Sequence, residues 1–314
     1  MLTLWGRTMG TGPAKLGRVV AMELIRGLDS PADSLQVTLL LPAPLPVLLA
    51  VELWQGERTL FAGGVDSQRE ILDSGGWRVV ISARSMGALT LDNEALPQLY
   101  HSPRLGDIFQ RHIAPYGFAA VAAQGSGSPP AEFSVRKGLC EWEVLERYCL
   151  RAYGCRPYAL GDRVVVGAPV GTGRHTVGTG GLGYSSLERV RERSGIVGDI
   201  MVRHPQLGLY LSRYQNPYPA GLEIRRKRYL IPSSEYADQP GVDVTRRIRD
   251  SMGGYLSYKA VLPGFQAVAP HDRVRLDQKL GAESAELVAV QVKWVVNADR
   301  VETRVLMRDR QYVY

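Results

Sequence analysis

Apolar and polar residues alternate with a period of two along much of the first ninety positions, which is typical of half-buried β-strands. The clearest strand, residues 77–84, places four apolar side chains on one face: Trp77, Val79, Ile81 and Ala83. Three further apolar runs also predict strands: residues 21–26, 35–41 and 47–54. Turn residues at 55–58 and 73–76 predict hairpins. The pattern indicates a meander that forms a small barrel or sandwich.

The apolar spacing changes to that of helices in the middle of the chain. Apolar positions from Leu105 to Ile113 recur at helical intervals, and predict a helix with Ser102 as N-cap and Pro103 in its first turn. A second helix is predicted over residues 140–153, ended by Gly154. Short strands are predicted around these helices: residues 133–136, 158–160 and 163–166. A small α/β module is therefore expected.

Strand patterns return in the last third of the chain. The candidate strands are residues 196–203, 209–214, 221–230, 285–296 and 300–308. A helix is predicted over residues 243–252, before Gly253 and Gly254. The predicted fold is mainly β with an α+β insert. The predicted order of domains is a β domain (1–95), a small α/β domain (96–185) and a β domain with a short helix (186–314); the resemblance described below implies that both β domains are barrels.

Composition excludes several classes of protein. The chain has 314 residues, 45% of them hydrophobic, which excludes a disordered chain. The longest uncharged stretch, residues 37–51, contains three prolines, so no membrane-spanning helix is expected. The N-terminus lacks the pattern of a signal peptide, and we expect the chain to stay in the cytoplasm of the cell that makes it. The three cysteines show no metal-binding spacing and predict free thiols.

Positive charge is concentrated in one stretch. The chain carries 38 Lys and Arg against 31 Asp and Glu, a formal charge of +7. Nine of these basic residues form a candidate channel or docking surface: Arg189, Arg191, Arg193, Arg203, Arg213, Arg225, Arg226, Lys227 and Arg228. Such a stretch can face a phosphate backbone, an acidic partner or a channel, or simply form the solvated faces of strands.

Motifs for catalysis are weak. Residues 178–183 match the G-x-G-x-x-G pattern of dinucleotide sites, but the preceding residues read as a loop and no βαβ unit follows. The histidines are isolated along the sequence: His101, His112, His175, His204 and His271. We interpret them as structural or surface residues, with His112 at the edge of a core. No catalytic residue, metal or cofactor is predicted.

Several segments, taken in order, carry a resemblance to a known family. They are residues 81–97, residues 108–118 (IFQRHIAPYGF), residues 134–149 (SVRKGLCEWEVLERYC), residues 193–203 (RSGIVGDIMVR) and residues 221–230 (GLEIRRKRYL). As a set, they resemble the hub proteins of phage tails and contractile injection systems, including the late control protein D family. The first and last eighty residues match that family only by their strand pattern.

The resemblance implies a non-enzymatic structural protein of a virion tail or baseplate, assembled in the bacterial host cytoplasm. Family hubs carry two tube-like β-barrel domains, and three copies form a ring between the tail tube and a central spike. The implied partners are two further copies of the chain, the tail tube protein and the spike protein. The tape-measure protein and DNA in the lumen are further candidates.

Two other classes stay open at this point. One is an enzyme, either an accessory cell-wall hydrolase or a nucleotide-binding enzyme that uses residues 178–183. The other is a module that binds nucleic acid without sequence specificity, for which steep salt dependence would be diagnostic.

Overall fold

The chain is described here by a computed structural model, which covers residues 2–10, 12–218, 221–232, 240–276 and 286–314. The described residues are mainly β, as predicted. Their strands are β1 (Leu2–Thr8), β2 (Ala14–Lys15), β3 (Arg18–Gly27), β4 (Ser34–Leu41), β5 (Leu48–Gln55), β6 (Arg58–Asp73), β7 (Gly76–Arg84), β8 (Gln98–His101), β9 (Ala120–Ala123), β10 (Glu132–Val135), β11 (Pro157–Leu160), β12 (Arg163–Val166), β13 (Arg174–Val177), β14 (Ser186–Arg191), β15 (Asp199–Arg203), β16 (Tyr210–Gln215), β17 (Lys227–Leu230), β18 (Leu256–Pro263), β19 (Arg273–Leu276), β20 (Leu287–Val296) and β21 (Val301–Asp309). The α-helices are α1 (Gly87–Asp92), α2 (Leu105–His112), α3 (Glu141–Tyr153) and α4 (Pro240–Met252).

One large sheet contains strands from both ends of the chain. Its thirteen strands follow the order β14-β18-β21-β20-β3-β4-β7-β6-β5-β1-β2, with β13 and β19 attached to β20. The two ends meet where β3 pairs antiparallel with β20, Leu24 lying opposite Trp294. Between the strands described, the hydrogen-bonded path is open at β14 and β2. Described strands from both ends of the chain therefore belong to one continuous sheet.

A single apolar core lies under this sheet. It includes side chains from the first third of the chain, such as Leu24 and Ile81, and from the last third, such as Val292 and Met307. Trp294 contacts both parts of the chain. Its indole N–H donates to the carbonyl oxygen of Gln266 at 2.9 Å, and the guanidinium of Arg26 lies 5.6 Å from its ring centre. Each fully buried Leu, Ile, Val or Met side chain of this core contributes about 1.5–3 kcal/mol to the free energy of folding.

The middle of the chain forms a separate core around α2 and α3. Ile108 and Phe109 of α2 are buried against Leu145 and Tyr148 of α3. The Tyr148 hydroxyl donates to the carbonyl oxygen of Pro103 at 2.8 Å, which satisfies the one polar atom of that buried ring. Two small sheets accompany the helices, one with the order β11-β12-β9 and one that pairs β10 with β8. The predicted α/β character of this region is confirmed.

The start of α2 was predicted wrongly. The helix begins at Leu105, with Arg104 as N-cap, rather than at Pro103 with Ser102 as the cap. The carboxylate of Asp107 accepts from the backbone N–H of Arg104 at 2.7 Å, and this third-position acid fixes the helix start. Ser102 instead has a φ of +48°, in the left-handed region. By contrast, α3 was predicted to within one residue, and Gly154 ends it with a φ of +69°.

Several other elements differ from the predicted ones. Helix α1 was missed because six residues are too few to show helical periodicity. The strand predicted at 221–230 is present only as β17, and the strand predicted at 196–203 begins at Asp199. Position 285 of another predicted strand lies outside the described residues. The strands β13, β14, β18 and β19 were also not predicted.

A buried histidine lies where the middle module meets the large sheet. The ring of His271 packs edge-on against Tyr158 and face-on against Tyr314, with centroid distances of 4.9 and 5.9 Å. Its Nδ1 shares a 2.7 Å hydrogen bond with the Tyr314 hydroxyl, and the Tyr158 hydroxyl donates to the carbonyl oxygen of Val313. Burial lowers the pKa of His271 to about 4, against an opposing effect of Asp272. The imidazole is therefore neutral in the fold at pH 7.

We expect acid to destabilise the protein through His271. The unfolded histidine titrates near 6.5, so this contribution to stability is complete above that pH and is lost progressively as the pH falls towards 4. The loss between pH 7 and pH 4.5 is about 2–3 kcal/mol. Urea unfolding of wild type and His271→Asn measures it, because asparagine does not titrate there and tolerates the φ of +73°. The control is His101→Asn, at an exposed position. A His271→Asn curve with the wild-type pH dependence would contradict the prediction.

Candidate interaction surface

A small sheet carries most of the predicted basic residues. Its order is β16-β15-β17, with β15 antiparallel to β16 and parallel to β17. One face is covered, because Ile200 and Val202 of β15 pack with Val244 and Ile248 of α4 in a core of their own. Met201, which lies between Ile200 and Val202 in β15, points to the opposite side of the sheet, because successive side chains of a strand alternate. The second face of the sheet is therefore directed outward.

Strand register shows which side chains share the outer face. Met201 lies opposite Arg213 in β16 and opposite Tyr229 in β17, so these three side chains are neighbours on one face. Tyr210 also belongs to this face, since its ring packs edge-on against Tyr229 with a centroid distance of 5.1 Å. Tyr229 is 66% exposed. We call this set the outer face: Met201, Arg203, Tyr210, Arg213, Lys227 and Tyr229.

The structure divides the nine predicted basic residues between two places. Arg189 and Arg191 lie in β14, at the edge of the large sheet. The other seven lie in the small sheet or in the segments next to it: Arg193, Arg203, Arg213, Arg225, Arg226, Lys227 and Arg228. The nine residues therefore do not form one continuous stripe along a single sheet.

Some of these basic side chains are held by groups within the protein. Arg213 forms an ion pair with Asp199 at 2.8 Å, and this hydrogen bond lowers the pKa of the Asp199 carboxyl. Arg203 donates to the carbonyl oxygen of Gly208 at 3.0 Å, and Arg226 to that of Ile196 at 3.4 Å. These contacts join strands and loops within the protein.

Three basic side chains in or just before β17 are exposed and form no ion pair within the described part of the chain: Arg225, Lys227 and Arg228. Lys227 belongs to the outer face, whereas Arg228 lies opposite Ile200 and so points to the covered face. Asp199, the buried acid of this sheet, already pairs with Arg213. The surface is therefore positively charged at neutral pH, and its charge attracts anionic groups.

Exposed apolar side chains in the same region were not identified from the sequence. Leu207, Leu209 and Leu211 lie in or next to the β15–β16 hairpin, and Ile231 follows β17; each is at least 55% exposed. The sequence signal was the apolar pattern of residues 207–211, which was interpreted only as a strand. Exposed apolar residues grouped beside positive charge are typical of protein interaction surfaces.

The glycine-rich segment at residues 178–183 is a loop between two strands. The preceding residues include strand β13, which was predicted as a loop, but β14 follows instead of a helix. The Gly178 N–H donates to the carbonyl oxygen of Leu182 at 2.9 Å, and the Gly181 N–H donates to that of Gly178 at 3.1 Å. These amides are used within the loop, and no helix N-terminus is present to bind a phosphate.

His112 is the most buried histidine that bonds to an acid. Its Nδ1 lies 2.5 Å from Glu141 Oε2, and its Nε2 lies 2.9 Å from the Tyr100 hydroxyl. Tyr116 donates to the other Glu141 oxygen at 3.2 Å. The imidazole is buried on α2, as predicted, and links that helix to the start of α3. Within the described ranges, no group of three or more His, Cys, Asp or Glu side chains could hold a metal ion.

We expect removal of the Glu141 carboxylate to destabilise the middle module. Glu141→Leu leaves the buried His112 and the Tyr116 hydroxyl without an acceptor, at a cost of about 1–3 kcal/mol. The control is Glu132→Leu, which breaks an exposed contact with His101 at 3.7 Å and costs about 0–1 kcal/mol. Urea unfolding measures both. Equal losses of unfolding free energy in the two variants would contradict the prediction that the buried contact stabilises the protein more than the exposed one.

Comparison with known proteins finds no matching family model and no curated protein that matches by sequence. Solved structures do match. A 43 kDa tail protein of prophage MuSo2 from Shewanella oneidensis has a TM-score of 0.82 at 11% identity, with 100% of both chains covered. A tail protein from Neisseria meningitidis has a TM-score of 0.77 at 15% identity, with 99% of this chain and 97% of that chain covered.

The chain has the fold of phage tail proteins. A type VI secretion component from Escherichia coli, described as structurally similar to two T4 bacteriophage tail proteins, shares this fold with a TM-score of 0.64 at 12% identity. The match covers 99% of this chain and 78% of that one. The resemblance noted in the sequence is thus confirmed for the fold, and it extends to the first and last eighty residues. In the part of this tail-protein fold that is described, no helix is both long and apolar enough to span a membrane.

Proposed function

We propose that the chain is a structural hub of a phage-type tail or baseplate and has no catalytic activity. The observation that carries the proposal is the likeness to the MuSo2 tail protein over the whole length of both chains. The tail protein from Neisseria meningitidis supports the same conclusion. In this proposal the protein acts in the virion tail after assembly in the bacterial host cytoplasm.

The proposed hub is a ring of three chains that joins the tail tube to a central spike and forms part of the channel. Residues 1–95 and 186–314 are its two tube-like domains, and residues 96–185 form the domain between them. The open edges of the large sheet support a ring, because exposed strand edges are an aggregation hazard unless another chain covers them. The edge strand β14 is long enough for such pairing.

The proposed docking surface is the outer face together with Arg225 and the exposed Leu209 and Leu211 of the neighbouring hairpin. The two leucines and Tyr229 favour a protein partner, since apolar side chains gain little from contact with a phosphate backbone. The positive charge favours acidic groups on that partner. The candidates are the tail tube protein, the spike protein and the tape-measure protein. The basic residues Arg189 and Arg191 on β14 are proposed to face the lumen and any DNA that passes.

We expect the purified protein to form trimers. Light scattering after size exclusion should give three times the chain mass of 34.6 kDa, and electron micrographs of assembled particles should show a ring at the end of the tail tube. A strictly monomeric protein at high concentration, with no ring in the particle, would contradict the proposal.

We expect charge reversal at the docking surface to reduce assembly. The variant Arg225→Glu, Lys227→Glu should reduce incorporation into tail particles at least tenfold, because it reverses the charge that meets the partner. The control reverses two exposed arginines elsewhere: Arg58→Glu and Arg69→Glu. Immunoblots of purified particles measure incorporation. Equal incorporation of both variants, with both folded by circular dichroism, would rule out this surface.

A further inference from the structure

A cleft rich in arginine lies between β13 and β19, outside the small sheet. Its volume is about 310 Å³, and its lining comprises Arg174, His175, Thr176, Arg273, Val274, Arg275 and Glu286. The two strands pair in parallel, with Arg174 opposite Arg273 and Thr176 opposite Arg275. Neighbouring strands lie about 4.8 Å apart. Three guanidinium groups and one hydroxyl therefore project from one face of this strand pair.

The charges of the described residues in the cleft are not balanced. Arg273 forms an ion pair with Glu286 at 3.0 Å, and the same carboxylate pairs with Arg310 at 3.1 Å. Arg174 and Arg275 are exposed and form no ion pair within the described residues. The described side chains that line the cleft therefore carry a net positive charge, which attracts an anion.

The backbone beneath these arginines is held in place by a buried acid. Asp272 lies 2.9 Å from His175 Nε2, and it accepts from the N–H groups of Gly173 at 2.7 Å and Ala269 at 2.8 Å. These contacts join the start of β13 to the start of β19. The arginine side chains thus project from a rigid base, which lowers the cost of ordering them around a ligand.

We propose that this cleft binds a phosphate group. Guanidinium groups match phosphate oxygens through paired, charge-assisted hydrogen bonds, and Thr176 supplies a neutral donor. A phosphate dianion in the cleft offsets the positive charges of Arg174 and Arg275. The phosphate comes either from a small molecule or from a nucleic-acid backbone, and both present the same oxygens. This site is independent of the proposed structural function, since its residues lie apart from the outer face.

The test compares anions at constant ionic strength. Inorganic phosphate should raise the melting temperature of the wild-type protein in a saturable manner, whereas acetate should not. The variant Arg174→Gln, Arg275→Gln should lose this response, with at least a tenfold weaker affinity for phosphate. Without phosphate, the variant should melt close to the wild-type temperature, because both arginines are exposed and form no ion pair within the described residues. The control Arg58→Gln, Arg69→Gln removes equal charge from exposed positions and should keep the response.

A second arm identifies the source of the phosphate. Fluorescence anisotropy with a labelled 20-base-pair DNA duplex, at several salt concentrations, measures binding to a nucleic-acid backbone. DNA binding that the Arg174→Gln, Arg275→Gln variant weakens tenfold supports the backbone as ligand; a response to inorganic phosphate alone supports a small molecule. An equal response to acetate, or wild-type behaviour of the variant in both arms, overturns the proposal. Monomeric protein with an intact phosphate response would contradict the ring while leaving the cleft in place.

Discussion

The pairing of β3 with β20 determines how the two ends of the chain are organised. Backbone hydrogen bonds join residues 22–27 to residues 291–296, and we call this strand pair the seam. The side chains buried beneath the seam come from both ends of the chain. Residues so distant in sequence meet only at a considerable loss of chain entropy, which grows with the length of the loop they close. The buried area around Leu24, Trp294 and Val292 offsets that loss.

This seam positions the rest of the molecule. Strands from both ends of the chain lie in the large sheet. The chain leaves this sheet to form the middle module and again to form the small sheet, and it returns to the large sheet after each. The middle module contacts that framework through Tyr158 and through Arg156, which pairs with Asp250 of α4 at 3.3 Å. The outer face is backed by the same α4. The middle module and the outer face are thus carried on elements that have cores of their own and that are joined to the rest of the protein by contacts such as these.

Local sequence signals predicted those parts of the fold that local physics determines. The alternation at residues 77–84 and the helical spacing up to Gly154 are properties of single elements, and both were predicted within a residue or two. The seam was not predictable, because nothing in the apolar pattern of β3 specifies β20 as its neighbour. The predicted start of α2 was wrong because Ser102 and Pro103 are a stronger sequence signal for a helix start than Asp107 is. On the candidate surface, the charge was visible in the sequence, but the exposure of Leu209 and Tyr229 depends on tertiary packing.

The seam also has a consequence for the order of events on the ribosome. Leu24 and its partner Trp294 are about 270 residues apart, so β3 emerges long before β20 exists. At a synthesis rate of about 5–20 residues per second, the delay is roughly 10–50 seconds. During that interval the edge of β3 that β20 later covers is free to pair with another nascent chain. The nascent chain therefore depends on protection of this edge, for example by a chaperone, until its last strands are released, because β4 pairs with the opposite edge of β3.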